Sequence, residues 1–115
     1  MVVQSMIELF SILLAVHFLC DFPLQGDFVA VHKSRHVDPN WPIILLAHCF
    51  IHGLGVYIVL KALGHESNVA MVSMWFMVLS HFIIDFLKND NRITFFQDQI
   101  AHLIIVIIIT LGITL

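Results

Sequence analysis

Four pairs of potential metal ligands sit four residues apart along the chain: His17 with Asp21, His48 with His52, His81 with Asp85, and Asp98 with His102. On an α-helix, side chains at i and i+4 share a face, so each pair would aim two donors in one direction. Neutral imidazole and carboxylate are the donors that zinc, manganese and iron accept. A single intramembrane histidine is most simply a hydrogen-bonded core residue, and a His–Asp pair can serve as a proton relay without metal. Scattering the eight histidines and six aspartates of this chain at random would give roughly one or two such pairs. One pair in each of four apolar segments favours a shared metal site.

The segments that must position these pairs are strongly apolar. Of 115 residues, 60% are hydrophobic and 11% charged, and the mean hydropathy is +0.99, whereas a soluble domain carries about a quarter of its residues charged. Lipid is therefore the expected solvent. A helix needs about 20 residues to cross the hydrocarbon, so the length accommodates one transmembrane domain, 1–115, with helices at approximately 2–22, 42–63, 69–87 and 95–115. Pro42 suits a first helical turn, Gly64 follows the second helix, and the polar residues 88–92 end the third. The isoleucine-rich run 100–115 is read as helix, because an open strand leaves backbone groups unpaired in hydrocarbon. The stretch 23–41 reads as a polar loop. The N-terminus lacks the basic region and small-residue cleavage site of a signal peptide, so the first segment is expected to be retained.

The expected fold is all-α: an integral membrane four-helix bundle, antiparallel in its connections. HFLCDF at 17–22 recurs as HFIIDF at 81–86, which suggests two helix-pair repeats running parallel. In an up-down-up-down order, the pairs that close the first and third segments and those that open the second and fourth all fall at one end. Eight ligands, five histidines and three aspartates, would then meet at one level. Each ionisable group in hydrocarbon costs on the order of 3 kcal/mol, and a cluster of divalent metal is an effective common partner. Eight ligands exceed one tetrahedral ion, so two zinc ions are expected, with manganese or iron as alternatives.

Around this centre, Gln25, Lys33 and Lys88 are candidate substrate-binding residues for an anionic, phosphate-bearing group. Gln97 and Gln99 flank Asp98 and are placed to orient it. Arg92 reads as a positive-inside anchor, Trp41 and Trp75 as interface and packing residues, and His65 with Glu66 as solvated turn residues. His32 and His36 form a fifth i, i+4 pair, but in the polar loop. Cys20 and Cys49 lack a CxxC spacing and read as buried thiols. Five Lys and Arg and a net charge of −3 provide no basic stripe for nucleic acid. Lys33, Arg35, Lys88 and Arg92 lie on the ligand side against Lys61 on the other, so the positive-inside rule places those loops in the cytoplasm and both termini outside a bacterial inner membrane.

The ordered series HxxxDFxLQ at 17–25, a lysine at 33, HxxxH at 48–52, HxxxDxxK at 81–88 and DQxxH at 98–102 resembles the small bacterial and phage membrane proteins grouped as domain of unknown function 3307. More distantly, it is similar to the YdjM-like membrane-bound metal-dependent hydrolases, related in turn to helical zinc enzymes that cleave phosphoesters. That resemblance implies a metal-dependent phosphoester hydrolase with membrane lipids as neighbours. Three other readings fit the same ligands: a metal-ion transporter or channel, in which a homo-oligomer could supply the pathway; a di-iron lipid oxidase; and a non-catalytic membrane protein with a structural metal.

Overall fold

The computed structural model describes the backbone of residues 2–115 and, from Ser5 onward, the side chains. Five helices make up the architecture: α1 (Val2–Asp21), α2 (Gly26–His32), α3 (Trp41–Ala62), α4 (Ser67–Asn89) and α5 (Phe95–Thr114), with no strand among the described residues. By length and hydropathy α3, α4 and α5 each suffice to cross a membrane, and α1 with α2 makes a fourth candidate span that is sharply broken.

Local chemistry sets each boundary. Helix α1 stops at Asp21 because Pro23 disfavours helical backbone at Phe22. The chain then turns through Gly26, whose φ of 72° is open to glycine, and α2 leaves at 83° to α1. The stretch 23–41, expected to be a loop, thus contains a short helix across the end of the molecule. Pro42 lies in the first turn of α3, where no intrahelical donor is lost. Helices α3 and α4 end alike. Beyond α3, Gly64 (φ 89°) and His65 return N–H bonds to Lys61 and Leu60; beyond α4, Asn91 (φ 60°) and Arg92 return them to Lys88 and Leu87. Both are left-handed caps that satisfy the last carbonyls. Helix α5 opens with a capping box: Thr94 Oγ1 accepts from Gln97 N at 3.1 Å, and Gln97 Oε1 accepts from Thr94 N at 2.9 Å. Gln97 therefore serves the cap, not Asp98 as its position in the sequence suggested.

Helix α1 packs against α3 and α5, and α4 packs against the same two. Among the described residues the backbones of α1 and α4 do not approach closely, nor do those of α3 and α5; the related motifs of α1 and α4 therefore face each other across a diagonal, where only their side chains meet. At one end the four long helices interlock through Leu9, Leu13, Val56, Leu60, Ala70, Met77, Val106 and Ile109. Apolar surface gains little on leaving lipid, so close packing and small residues must hold such an end together. Midway along α3, Gly53 provides such a close approach: a Cβ there would lie 2.5 Å from Val78 Cγ2 and 3.0 Å from Met74 Cγ. Two threonine hydroxyls here are consumed within their own helix, Thr110 donating to Val106 O at 2.8 Å and Thr114 to Thr110 O at 2.7 Å. Cys20 and Cys49 are buried free thiols.

Candidate metal centre

At the other end, the last turns of α1 and α4 meet the first turns of α3 and α5. His17, Asp21, His48, His52, His81, Asp85, Asp98 and His102 are all buried there. Each i, i+4 pair supplies one face of one helix, and the four faces converge.

Asp21 and three imidazoles form the tightest group. Asp21 Oδ1 lies 3.2 Å from His48 Nε2, 3.0 Å from His52 Nε2 and 3.5 Å from His81 Nε2, while His48 Nε2 and His81 Nε2 are 3.1 Å apart. Ligands held 2.0–2.1 Å from a tetrahedral zinc would sit about 3.3–3.4 Å from one another. The donor set and its spacing thus fit a divalent ion. Two further groups overlap the first: His17 with His81 and His102, and Asp21 with Asp98 and His102. His81 is central to the whole, stacked between His52 (ring centroids 3.7 Å apart) and His102 (4.1 Å).

Hydrogen bonding alone leaves this arrangement incomplete. The Nδ1 atoms of His17, His48 and His81 and Asp98 Oδ1 are buried with no hydrogen-bond partner. Such groups are costly in a low-dielectric interior, and a cation is the natural partner for the carboxylate oxygen. The three Nδ1 atoms also lack the backing acceptor that commonly orients a ligating imidazole.

Asp85 reaches the same imidazoles from another side, its Oδ2 lying 3.4 Å from His81 Nε2 and 3.5 Å from His48 Nε2. Its Oδ1 faces His102 Nε2 at 3.1 Å, and its Oδ2 accepts from Lys33 Nζ at 2.7 Å. Lys33, expected at the substrate, is only 6% exposed and donates as well to Gln25 Oε1 at 2.5 Å. Gln25 in turn donates to the Asp21 carbonyl at 3.1 Å. These two candidate substrate residues thus clip the stretch after α1 onto the cluster and place an ammonium beside one of its three carboxylates. Asn89, not singled out in the sequence, donates to the Lys33 carbonyl at 3.2 Å.

Gln99 orients its neighbours as expected. Its Nε2 donates to Asp21 Oδ2 at 3.1 Å and Asp98 Oδ2 at 3.0 Å, and its Oε1 faces His17 Nε2 at 3.4 Å. Lys88, the third candidate substrate residue, lines a cavity of about 70 Å³ shared with Asp21, Lys33, Asp85, Asp98 and Gln99.

The fifth histidine pair lies outside the centre. His32 stacks on Phe28 and faces Asp38 Oδ2 at 2.8 Å; His36 faces Asp90 Oδ1 at 2.8 Å. Asp90 also accepts from Arg35 at 2.6 and 3.0 Å and from Arg92 at 3.0 Å. The Arg35 guanidinium, with His36 and Arg92 adding to it, holds the Asp90 carboxyl well below the usual carboxylate range. The backbone N–H of Asn40 and then His32 lower Asp38 likewise. No local pattern marks the Asp90 node, which joins residues 55 positions apart.

The fold and the buried cluster define a helical protein, consistent with a membrane location, with a His/Asp site able to hold metal. The chain belongs to the family described as protein of unknown function (DUF3307), whose profile matches residues 9–115. No curated protein and no solved structure matches it. The more distant likeness to YdjM-like hydrolases has no support in these comparisons.

Proposed function

We propose that the protein is a membrane-embedded, metal-dependent hydrolase of phosphoesters, built as an antiparallel four-helix bundle in a bacterial inner membrane. The observation that carries this reading is the approach of one carboxylate oxygen, Asp21 Oδ1, to three imidazole nitrogens at 3.0–3.5 Å, beside a polar cavity. Asp21, His48, His52 and His81 would hold one divalent ion, most readily zinc; His17, Asp98 and His102 offer donors for a second. Bound there, such ions supply Lewis acidity toward a phosphoryl oxygen and make water acidic near neutral pH.

The chain's own residues do the rest. Three buried aspartates and the Lys33 ammonium leave a formal charge of −2 when the imidazoles are neutral. One divalent ion balances that charge. A second would make the centre as positive as a phosphate dianion is negative, which favours completing the second position only with an anionic substrate. Gln99 holds the Asp21 and Asp98 carboxylates in fixed orientation through their Oδ2 atoms, which leaves Asp98 Oδ1 directed to the second ion. Residues 22–40 and 90–94 would face the cytoplasm.

Transport is less well supported, because the core of the opposite end is apolar and the Thr110 and Thr114 hydroxyls there are spent within their own helix. The test is elemental analysis of detergent-purified protein together with phosphate release from a panel of phosphate esters. One to two divalent ions per chain with metal-dependent release is expected. Metal-free protein that keeps its full stability would end this reading, and a fully metallated protein inert across the panel would leave a structural or transporting site.

A further inference from the structure

The chain has five Lys and Arg residues, and four of them are engaged. Lys33 is tied to Asp85 and Gln25, Arg35 and Arg92 to Asp90, and Lys61 to Ser67 and the His65 carbonyl at the opposite end. Only Lys88 has no hydrogen-bonding or ionic partner among the described residues, and it lines the same cavity as the engaged Lys33, with Asp98 and Gln99. An anion entering that cavity would find this ammonium free.

The cavity's size restricts what enters. About 70 Å³ is room for a few waters or a phosphate-sized group, and too little for a nucleobase or a sugar ring besides. Whatever carries the phosphate must lie outside, and the rim there is apolar. Phe22 and Phe95 line the cavity with their rings 6.5 Å apart. Phe22, Leu24, Phe28, Phe95 and Phe96 are all more than half exposed. Helix α2, set at 83° to α1, lies nearly in the plane that a membrane surface would occupy if α1 crosses it. Exposed aromatic and aliphatic side chains at that level sit at the headgroup–acyl boundary.

We infer that this mouth takes the phosphate of a membrane-anchored phosphate monoester directly from the lipid leaflet, with Lys88 as the cation that binds it and the Phe22–Phe95 rim as the surface against which its apolar part lies. The inference rests on the phosphoester reading of the same site and restricts it to lipid substrates. Water-soluble esters present the same phosphate, but have nothing to place on the rim.

The experiment uses metal-loaded protein in lipid nanodiscs, with phosphatidic acid and glycerol phosphate as paired probes. Phosphate release should favour phosphatidic acid by at least about tenfold in kcat/KM. Lys88→Gln should raise KM for phosphatidic acid by about tenfold with metal content unchanged, and Lys88→Arg should restore most of the loss, since a charge-assisted contact to phosphate is what is removed. Equal efficiency on the two probes, or an unchanged KM in Lys88→Gln, overturns the inference while leaving the hydrolase intact. If metal-loaded protein cleaves neither probe, the hydrolase reading fails and binding alone decides the mouth, by native mass spectrometry. Selective retention of phosphatidic acid over phosphatidylcholine that is lost in Lys88→Gln supports it. Equal retention of the two lipids, or retention indifferent to the substitution, overturns it.

Discussion

The two ends of the same four helices solve opposite problems. At the apolar end, Leu13, Leu60, Val106 and Ile109 pack in an environment as apolar as lipid; in a membrane they would gain contact, not escape from water. At the ligand end, eight ionisable side chains are buried where each would be expensive alone. The apolar end tolerates variation as long as volume is kept. The ligand end needs distances good to a few tenths of an ångström, because its donors act only when they converge. Gly53 sits just one residue beyond His52 and lets α3 close on α4, so apolar packing beside the ligands sets their geometry. A polar site of this kind is as precise as the apolar scaffold that holds it.

That division is most easily broken at its centre. His81→Ala removes the imidazole shared by two ligand groups and should weaken metal binding more than about a hundredfold, since even the groups behind a ligand are worth 10–100-fold; Leu60→Ala, buried at the other end, should cost about 2–5 kcal/mol of stability and leave metal content intact. Metal titration and denaturation of both variants would check the pair, and metal loss in Leu60→Ala would show that the ends are not separable. Lys33→Met comes next. It removes the ammonium from buried Asp85 and leaves that carboxylate only imidazole neighbours, which should destabilise the protein by about 3–5 kcal/mol, whereas a lysine serving only the substrate would leave unfolding unchanged.

Gly53→Ala should cost about 1–3 kcal/mol by overpacking against Val78 and Met74 and should also lower metal affinity, if scaffold packing sets ligand distances. A stability loss without any change in affinity would detach the two. The smallest effect belongs to the Asp90 node. Its carboxyl is depressed in the folded protein by Arg35, so its contribution is fully present above the ordinary carboxylate pKa of about 4 and is lost as pH falls toward the folded value. Protection factors of the residue 33–40 amides, measured by hydrogen exchange and corrected for the intrinsic rate, should be flat between about pH 5 and 8 and fall in acid, and Asp90→Asn should lower them throughout and flatten the acid limb.

Much of the site was legible along the chain because a helix has a fixed period. Four-residue spacing alone puts His17 with Asp21, or His48 with His52, on one face, and the order of the segments sets their level. Composition alone marks apolar helices, since no other continuous structure satisfies a backbone in lipid. Helix α2 was not legible, because a seven-residue helix carries too little periodicity to stand out in a polar stretch. Nor was the engagement of Lys33 by Asp85, of Arg35 by Asp90, or the division of labour between Gln97 in the cap and Gln99 at the carboxylates. Local spacing determines which way a side chain points from its own helix. Which atom it meets depends on how neighbouring helices are rotated and offset about their axes, and contacts such as Gly53 against Val78, made across the bundle, decide that only once the chain is folded.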